Sequence, residues 1–589
     1  MFRSVRFVLS TGAWGACFLV FASLTGCGGS NAAGANPQPQ PQPSINIMPN
    51  SALVPIGTGQ PFHVSVANAT NDTVTWMASA GTIDQSGNYI APTAVPAGSV
   101  AMVTATLVSN PAVSASAAVT ISTQPVTLTV SPVSATVDAG FSTTFTATVS
   151  GTTNTAVQWS LSEAPGDNTY PGSIAFGNYT APTPVLTSDT YSITAASSAD
   201  PSKTASASVT AIPLENQLQQ TFPIELGTSG INANTQDCCS GTLGSLLIDQ
   251  AGKQYILSNN HVIGRVGHAE PGEAIVQPGY VDTLCDFTIP KTVATFTAAP
   301  PITSNVDAAI AEVVPGAVDP SGGIIGLGGV NLDGSYITAA PANTVATAAI
   351  DMLVAKIGRT TGLSCGNIEA INGTFQVDIP AECGNPSSET VTFQNQVILN
   401  DIVKPGDSGS LIVEAATAQP IALVAGLSSD GQFATANAMT DVLNGLDAVT
   451  GSTFSFVGAG QHSVTCSTGS NVAPSQAVQP PLSTEAALAF NQEVSRAAAT
   501  QSRHEKEIML DPAVVGLAVG RSRDDPTHAA ILIFVERGRR PRPLPAELDG
   551  FAVQLVPTGR FGSGATRTFG QRSACGHRLL DLGNWSWTR

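Results

Sequence analysis

Charged and aromatic side chains are scarce in this chain of 589 residues. Only 11% of its residues are Asp, Glu, Lys or Arg, and 6% are aromatic, which argues against a protein built from long amphipathic helices. Glycine (56 residues) and proline (40 residues) are numerous instead. Together with many Val, Thr, Ser and Ala residues they are typical of short strands joined by turns. We therefore expect a mainly β, multidomain protein of roughly three to five domains.

Positive charge is lacking from most of the chain. The formal net charge is −18, and 13 of the 23 Lys and Arg residues lie after residue 500. The first 500 residues are therefore strongly acidic. This charge argues against nucleic acid as a partner and favours solubility outside the cell.

Long apolar runs are missing after the N-terminus. The run at residues 7–22 follows a positively charged start and is too short for a transmembrane anchor, so residues 1–26 are predicted to be an export signal. Leu24-Thr25-Gly26-Cys27 resembles a bacterial lipobox, which implies lipidation of Cys27. Because Gly28 rather than Asp follows, the resemblance implies a lipid anchor in the bacterial cell envelope, at the outer membrane or cell surface.

Cysteine pairs of the CxxC type and clusters of histidine are absent from the sequence, so no metal and no other cofactor is predicted. Seven cysteines remain after the signal and the lipobox, and an exported protein can keep them in disulfides. Connectivity does not follow from sequence alone. The hypothetical pairs are Cys365–Cys383, which flank an apparent hairpin, and Cys239–Cys285, with Cys238 as the alternative to Cys239.

An internal repeat occupies residues 45–123 and 124–213. Each copy predicts short alternating strands with one tryptophan, which is typical of a β-sandwich. The matching stretches are Trp76 and Trp159, and Gly87-Asn88-Tyr89 and Gly177-Asn178-Tyr179. Both copies resemble bacterial immunoglobulin-like domains. Neither has a cluster of titratable residues, which favours a spacer, with contacts to a glycan or a cell surface as the alternative.

Three side chains of residues 214–460 suggest chemistry by their order. His261 follows a strand-like run, Asp307 opens an apolar run, and Ser408 lies in a glycine-containing turn between apolar strands. Each residue alone is more often structural than catalytic. A serine nucleophile needs a base that takes its proton and N–H donors that stabilise the oxyanion. The order His, Asp, Ser is the order of the chymotrypsin triad.

The motifs around these residues resemble those of the trypsin-like (chymotrypsin-fold) serine proteases. Asn259-Asn260-His261-Val262 stands where that family has Thr-Ala-Ala-His, and Val306-Asp307-Ala308-Ala309-Ile310 is similar to its Asp-x-Ala-Leu-Leu motif. Gly406-Asp407-Ser408-Gly409-Ser410 is similar to its Gly-Asp-Ser-Gly-Gly. The resemblance implies a double β-barrel that hydrolyses peptide bonds of protein or peptide substrates through an acyl-enzyme.

Roles for single residues follow from the same resemblance. Ser408 would attack the carbonyl, His261 would act as general base and then general acid, and Asp307 would fix the histidine tautomer. The backbone N–H groups of Gly406 and Ser408 would form the oxyanion hole. No activation-cleavage sequence precedes the region, which leaves the partner of Asp407 open.

The substrate pocket is only weakly defined by the sequence. Ile402 stands six residues before Ser408, where the trypsin pattern has Asp, but Asp401 is adjacent. The resemblance implies that Ser428 and Ser429 form the opposite wall of the pocket.

Four further segments complete the predicted organisation. They are a Pro/Gln-rich linker at residues 27–44, a polar linker at 461–482, a small α+β module at 483–562, and a tail without pattern at 563–589. Arg537, Arg539, Arg540 and Arg542 form a basic cluster in the module, which we interpret as a solvated turn.

Two alternatives compete with an active endopeptidase. A catalytically idle protease fold could serve as an adhesin or a surface-binding scaffold, and a single-turnover enzyme could process only its own chain. The presence of all three triad motifs argues against the idle fold, because a decaying enzyme usually loses one of them.

Overall fold

The computed structural model describes residues 42–122, 125–152, 154–162, 171–331, 335–385, 387–466, 484–563 and 566–567. The predicted export signal, the lipobox with Cys27, and most of the two linkers and of the C-terminal tail lie outside these residues. The chain divides into two compact units, Met1–Pro125 and Val126–Arg589. The protein is mainly β and multidomain, as the composition predicts.

The described residues of the first unit form three small sheets. Its strands are β1 (Ser44–Met48), β2 (Ser51–Pro55), β3 (Gly59–Pro61), β4 (His63–Ala67), β5 (Val74–Ala78), β6 (Thr82–Ile83), β7 (Asn88–Ile90), β8 (Val100–Leu107) and β9 (Ser114–Ser122). The sheets have the strand orders β2-β9-β8-β5, β3-β7-β6 and β1-β4. Ala101, Val103, Ala105 and Leu107 of β8 are all buried, because alternate side chains of a strand share one face.

The second unit begins with a copy of the same arrangement. Its strands are β10 (Thr127–Ser131), β11 (Ser134–Asp138), β12 (Ser142–Thr144), β13 (Thr146–Ser150), β14 (Val157–Ser162), β15 (Ser173–Ala175), β16 (Asn178–Thr180), β17 (Asp189–Ser197) and β18 (Thr204–Ile212). Their sheets, β11-β18-β17-β14, β12-β16-β15 and β10-β13, repeat the order of the first unit. Tyr89 and Tyr179 also make equivalent hydrogen bonds, to the carbonyls of Ala80 and Pro171. The sequence repeat is therefore confirmed as a structural repeat.

Among the described residues, the rest of the second unit is built from longer strands and three α-helices. In chain order these elements are β19 (Thr228–Asn232), β20 (Cys239–Leu243), β21 (Ser245–Asp249), β22 (Gln254–Ser258), α1 (Asn260–Ile263), β23 (Ala274–Gln277), β24 (Lys291–Ala298), β25 (Ala309–Val313), β26 (Ile324–Val330), β27 (Tyr336–Ala339), β28 (Leu353–Gly358), β29 (Gly362–Pro380), β30 (Ser388–Leu399), β31 (Leu411–Glu414), β32 (Pro420–Ser428), β33 (Ala434–Ala438), α2 (Met439–Thr450), β34 (Phe454–Phe456), α3 (Thr484–Ile508), β35 (Val514–Arg521), β36 (Ala529–Glu536), β37 (Glu547–Leu548), β38 (Phe551–Thr558), β39 (Phe561–Gly562) and β40 (Thr566–Arg567).

Two large sheets organise these elements. The nine-stranded sheet has the order β34-β21-β22-β25-β24-β23-β19-β20-β40. The eleven-stranded sheet has the order β28-β31-β32-β33-β30-β29-β35-β36-β38-β37, and β39 pairs with β29 and β32. Helix α2 buries Met439, Val442 and Leu446, which lie on one helix face, in the core of the nine-stranded sheet.

The C-terminal module extends the eleven-stranded sheet. Helix α3 packs Phe490, Val494 and Ala497 against this sheet, and β35 pairs antiparallel with β29. The predicted α+β content is therefore present, but its strands continue the sheet of the preceding region because β29 has an edge free for pairing. In the part of the chain that the structure describes, no helix is both long and apolar enough to cross a membrane.

The start of the predicted second linker is packed rather than extended. Val464 is buried in the core of the nine-stranded sheet, and Cys466 forms a disulfide with Cys365. The linker predicted from Gln461 therefore begins later than the sequence indicates, because an apolar residue and a disulfide fix residues 461–466 to the core.

The predicted disulfides Cys239–Cys285 and Cys365–Cys383 are wrong. The structure pairs Cys238 with Cys285, Cys239 with Cys383, and Cys365 with Cys466, at Cα–Cα distances of 5.3, 6.5 and 6.0 Å. Only the alternative of Cys238 with Cys285 is confirmed. Successive residues of an extended chain point in opposite directions, so Cys238 and Cys239 reach different partners.

Loss of the Cys239–Cys383 disulfide is expected to lower the free energy of unfolding by about 2–5 kcal/mol, since it closes a long loop of the unfolded chain. The measurement is chemical denaturation of the Cys239→Ala/Cys383→Ala variant beside wild type. The double substitution avoids leaving a free thiol. An unchanged unfolding midpoint would show that this disulfide does not stabilise the second unit.

Candidate active site

His261 and Asp307 meet because their strands are paired. Strands β22 and β25 are antiparallel, with Ser258 opposite Ala309. His261 lies three residues beyond this pair in α1, and Asp307 lies two residues before it. The His261 Nδ1 is hydrogen-bonded to Asp307 Oδ2, and the His261 N–H donates to Asp307 Oδ1 over 3.1 Å. The carboxylate therefore fixes both the ring and the backbone of the histidine.

The histidine–aspartate pair is buried and has one unused nitrogen. His261 is 4% exposed and Asp307 is 0% exposed. His261 Nε2 has no hydrogen-bond partner within the described residues. Because a buried polar atom without a partner costs free energy, such an atom is a candidate for a reacting group or a substrate contact.

Two asparagines position Asp307. The Asp307 N–H donates to Asn437 Oδ1 over 2.9 Å, and its carbonyl accepts a hydrogen bond from Asn259 Nδ2. Asn437 lies on β33 of the eleven-stranded sheet, and its Nδ2 donates to Gln396 Oε1 over 3.1 Å. Asn437 therefore links the backbone of Asp307, which directly precedes β25 of the nine-stranded sheet, to the eleven-stranded sheet.

Ser408 lies in the tight turn between β30 and β31. Gly406 and Gly409 have φ angles of +98° and +91°, in the left-handed region that favours glycine. A Cβ atom on Gly409 would lie 2.3 Å from the Thr242 carbonyl oxygen and 2.4 Å from Ser258 Oγ. The turn therefore needs glycine both for its conformation and for its close packing against β20.

The backbone N–H groups of this turn differ in whether they have a hydrogen-bond acceptor. The N–H groups of Asp407, Gly409 and Ser410 donate to the carbonyls of Lys404, Val424 and Asp407. Among the described residues, the N–H groups of Gly406 and Ser408 have no acceptor. These are the two N–H groups that the family resemblance implies for an oxyanion hole.

Thr242 holds the Ser408 turn against the nine-stranded sheet. Its N–H donates to the Ser408 carbonyl over 2.9 Å, and its Oγ1 donates to the Gly406 carbonyl over 2.9 Å. The Thr242 carbonyl in turn accepts from Ser258 Oγ over 2.7 Å, three residues before His261. These contacts bring the serine turn to the strand end that carries the histidine.

Ser408 and His261 make no mutual hydrogen bond among those of the described residues. Ser408 is 7% exposed. In enzymes without substrate, catalytic hydrogen bonds are often long and shorten in the substrate complex.

Asp407 has an internal cation as its partner. Lys356 Nζ on β28 donates to Asp407 Oδ2 over 2.9 Å, and both side chains are fully buried. Thr361 Oγ1 and three backbone N–H groups also donate to this carboxylate. Burial lowers the pKa of the Lys356 ammonium, while the Asp407 carboxylate opposes this shift. The partner that the sequence leaves open is therefore Lys356.

The four predicted pocket residues do not share one environment. Ile402 is buried in a hydrophobic cluster with residues of β28 and β30, and exposed Asp401 forms an ion pair with Lys404 over 2.6 Å. Ser428 Oγ donates to Asp430 Oδ1 over 2.8 Å, in the turn between β32 and β33. The Ser429 N–H donates to the carbonyl of Arg560 over 2.8 Å, a residue of the C-terminal module.

The basic cluster of the module is partly paired. Arg537 Nε donates to Asp430 Oδ2 over 2.8 Å, and Arg539 forms an ion pair with Glu536. Burial raises the pKa of Asp430, but hydrogen bonds from Arg537 and Ser428 outweigh that effect and hold the pKa below its usual value. The contact with Asp430 connects the module to the turn that follows β32.

Three residues of the site were missed from the sequence. Lys356 gave a signal, since it is the one charge within the apolar strand β28, but Thr242 and Asn437 gave none. In the described part of the chain, no three His, Cys, Asp or Glu side chains are grouped so that they could hold a metal ion.

Comparisons with known proteins give no family for this chain. No family model matches it, and no curated relative matches it. Among solved structures, it is similar to the N-terminal four Ig domains of Dscam1 isoform 6.9, at 16% identity and a TM-score of 0.13. That match covers 29% of this chain and 46% of the Dscam1 chain, so the chain spans less than half of that structure.

Extracellular cadherin domains 1–4 of Protocadherin Gamma B7 are also similar, at 11% identity and a TM-score of 0.16. That match covers 46% of this chain and 68% of the protocadherin chain. TM-scores of this size carry no argument about fold or function.

Proposed function

We propose that residues 214–460 form a trypsin-like, double β-barrel serine endopeptidase. The observation that carries the proposal is the buried His261–Asp307 pair, whose Nε2 atom has no partner among the described residues. The serine turn supports it, because Thr242 attaches that turn to the strands of the pair. A Ser-His-Asp triad is recognised by the geometry and the roles of its residues, irrespective of the fold.

The proposed reaction is hydrolysis of a peptide bond through an acyl-enzyme. Ser408 Oγ attacks the carbonyl carbon while His261 Nε2 takes the hydroxyl proton. Asp307 holds the proton of His261 on Nδ1, so that Nε2 is the accepting nitrogen. The imidazolium then donates its proton to the leaving amine, and water hydrolyses the ester by the same steps in reverse.

Charge on the carbonyl oxygen would be stabilised by the N–H groups of Gly406 and Ser408. Loss of one such donor typically costs about 2.7–4 kcal/mol of transition-state stabilisation. The buried Asp407–Lys356 pair supports this arrangement, because it fixes the residue between the two donors.

The proposed setting is the bacterial cell envelope. Cys27 would carry the lipid that anchors the exported protein, and the two repeats would be immunoglobulin-like spacers that also contact a cell surface or a glycan. Protein or peptide substrates would reach the enzyme outside the cytoplasm, and the reaction requires no cofactor.

A fluorophosphonate probe tests the proposed nucleophile. Wild type is expected to be labelled at Ser408 and to cleave casein, whereas Ser408→Ala is expected to do neither. Ser455→Ala, which changes an exposed serine on β34, serves as the matched control and is expected to behave as wild type. Equal labelling or cleavage by Ser408→Ala and wild type would refute the proposal. An unlabelled wild type that binds a surface glycan would favour the idle scaffold instead.

A further inference from the structure

The turn between β28 and β29, residues 359–361, is hydrogen-bonded to the serine turn. The N–H groups of Thr360 and Thr361 donate to Asp407 Oδ1 over 2.9 and 3.1 Å. Thr360 Oγ1 also donates to the Pro405 carbonyl over 2.6 Å. The position of the serine turn therefore depends on the position of the β28–β29 turn.

A second connection between the two turns includes Thr242. The Arg359 N–H donates to Thr242 Oγ1 over 2.9 Å. That hydroxyl donates to the Gly406 carbonyl over 2.9 Å, and the Thr242 N–H donates to the Ser408 carbonyl over 2.9 Å. Thr242 thus joins the β28–β29 turn to both residues whose N–H groups would form the oxyanion hole.

Two buried side-chain amides hold the backbone of the β28–β29 turn. Asn216 Nδ2 donates to the Gly358 carbonyl over 2.6 Å, and Gln217 Nε2 donates to the Arg359 carbonyl over 3.0 Å. Asn216 is 0% exposed and Gln217 is 1% exposed. A Cβ atom on Gly358 would lie 2.3 Å from Asp407 Oδ1, so the Gly358 backbone lies directly against that carboxylate. A shift of Gly358 or Arg359 therefore moves atoms that contact the serine turn.

Both amides serve the turn as hydrogen-bond donors. Asn216 Nδ2 has a second carbonyl acceptor, that of Gly227, over 3.1 Å. Asn216 Oδ1 and Gln217 Oε1 are buried and have no hydrogen-bond partner among the described residues. A buried polar atom without a partner costs free energy, so each amide gains part of its stabilising effect and loses part of it. What the two side chains supply to the turn is therefore position more than stability.

The segment that carries the amides is anchored in the second repeat copy. Leu214 is 2% exposed and belongs to the hydrophobic core of that copy. The two residue steps from Leu214 to Asn216 span at most about 7 Å. On the other side, the Asn216 carbonyl accepts a hydrogen bond from Thr228 Oγ1 of β19 over 2.8 Å. The core of the repeat copy thus fixes where the amides meet the β28–β29 turn.

We propose that Asn216 and Gln217 are positioning residues of the endopeptidase, which place the oxyanion-hole turn by holding the β28–β29 turn. The inference rests on the proposed function. It gives the second repeat copy a part in catalysis besides that of a spacer, because its core anchors the segment with the amides. Backbone donors stabilise the transition state only where they point at the developing oxyanion. Displacement of the turn therefore lowers kcat, whereas contacts made equally in the ground state keep KM unchanged.

Gln217→Met tests this role. Methionine is about as long as glutamine and has no donor, so it keeps the packing and removes the contact to the Arg359 carbonyl. On a peptide substrate derived from casein, kcat is expected to fall by about 10- to 10²-fold, because a displacement of about 1 Å can cost that much. KM should stay within about twofold of wild type. Asn216→Leu removes the donor to Gly358 and is expected to change kcat in the same direction.

Gln501→Met is the matched control. Gln501 is 2% exposed, its Nε2 donates to the Asn372 carbonyl over 2.8 Å, and its Oε1 has no partner among the described residues. This variant should lose a similar amount of stability but keep kcat within about twofold of wild type. Complete reaction with the fluorophosphonate counts the active sites, so kcat is independent of the folded fraction. The low-field proton resonance of the His261 Nδ1–H group should be the same in Gln217→Met and wild type.

Equal kcat per active site in Gln217→Met, Asn216→Leu and Gln501→Met would overturn the inference, because the two amides would then only stabilise the fold. A fall in kcat together with a shifted His261 resonance would also contradict it, since the defect would then lie in the base. With an active wild type, either result leaves the proposed function standing. If wild type neither reacts with the fluorophosphonate nor cuts casein, the proposed function fails and the inference fails with it.

Discussion

Asp307→Asn is expected to lower kcat on a peptide substrate by about 10⁴-fold while the protein stays folded. The carboxylate of Asp307 accepts hydrogen bonds from both the ring and the backbone N–H of His261. An amide of the same shape keeps the packing but presents an NH₂ group to one of these positions. When that group faces Nδ1, the ring proton moves to Nε2, and Nε2 then cannot accept the proton of Ser408.

Asp441→Asn is the matched control for this substitution. Asp441 lies on α2 and accepts a hydrogen bond from exposed Asn395, so kcat should stay within about twofold of wild type. Circular dichroism and thermal unfolding would verify that both variants fold. If folded Asp307→Asn keeps more than a tenth of the wild-type kcat, Asp307 does not orient the base.

Lys356→Met is expected to lower the free energy of unfolding by about 3–5 kcal/mol, because it leaves the Asp407 charge buried without its ion-pair partner. Activity should fall by at least about 10²-fold as well. The turn between the two N–H donors of Gly406 and Ser408 is fixed by Asp407, and loss of one donor alone has an effect of this size. Chemical denaturation and kcat on a peptide are the two measurements.

A double substitution separates the effect of the unpaired buried charge on stability from the effect of the ion pair on the position of the serine turn. Lys356→Met/Asp407→Asn removes both charges, so much of the lost stability should return, whereas activity should stay low. Lys253→Met is the matched control, since Lys253 and Glu312 form an exposed ion pair at 3.0 Å and such pairs contribute about 1 kcal/mol or less. If Lys356→Met is as stable and as active as Lys253→Met, the buried pair supports neither the fold nor the site.

The Lys356–Asp407 pair also bears on control of the proposed enzyme. The sequence has no activation-cleavage site before residue 214 that could supply a new N-terminal ammonium to Asp407. An ammonium from β28 already occupies that position.

Local patterns explain which parts of the fold were predictable. Short alternating strands and the repeated Gly-Asn-Tyr stretches predicted the two copies of the sandwich pattern. The alternating burial of β8 agrees with this pattern. The α+β character of residues 483–562, which contain α3, was also predicted. The attachment of β35 to β29 was not predictable, because edge pairing joins segments about 150 residues apart and has no sequence period.

For the candidate site, the sequence by itself determined the three residues His261, Asp307 and Ser408 and the two glycines of the serine turn. Motif order and the φ requirement of glycine are local, so they can be read from one chain. Tertiary structure alone decided the partners: Lys356 for Asp407, Asn437 for Asp307, Thr242 for Ser408, and the disulfide pairs. It also decided that β39 pairs with β32 and that β40 pairs with β20. Such contacts depend on distances between strands remote in sequence, which only the folded chain defines.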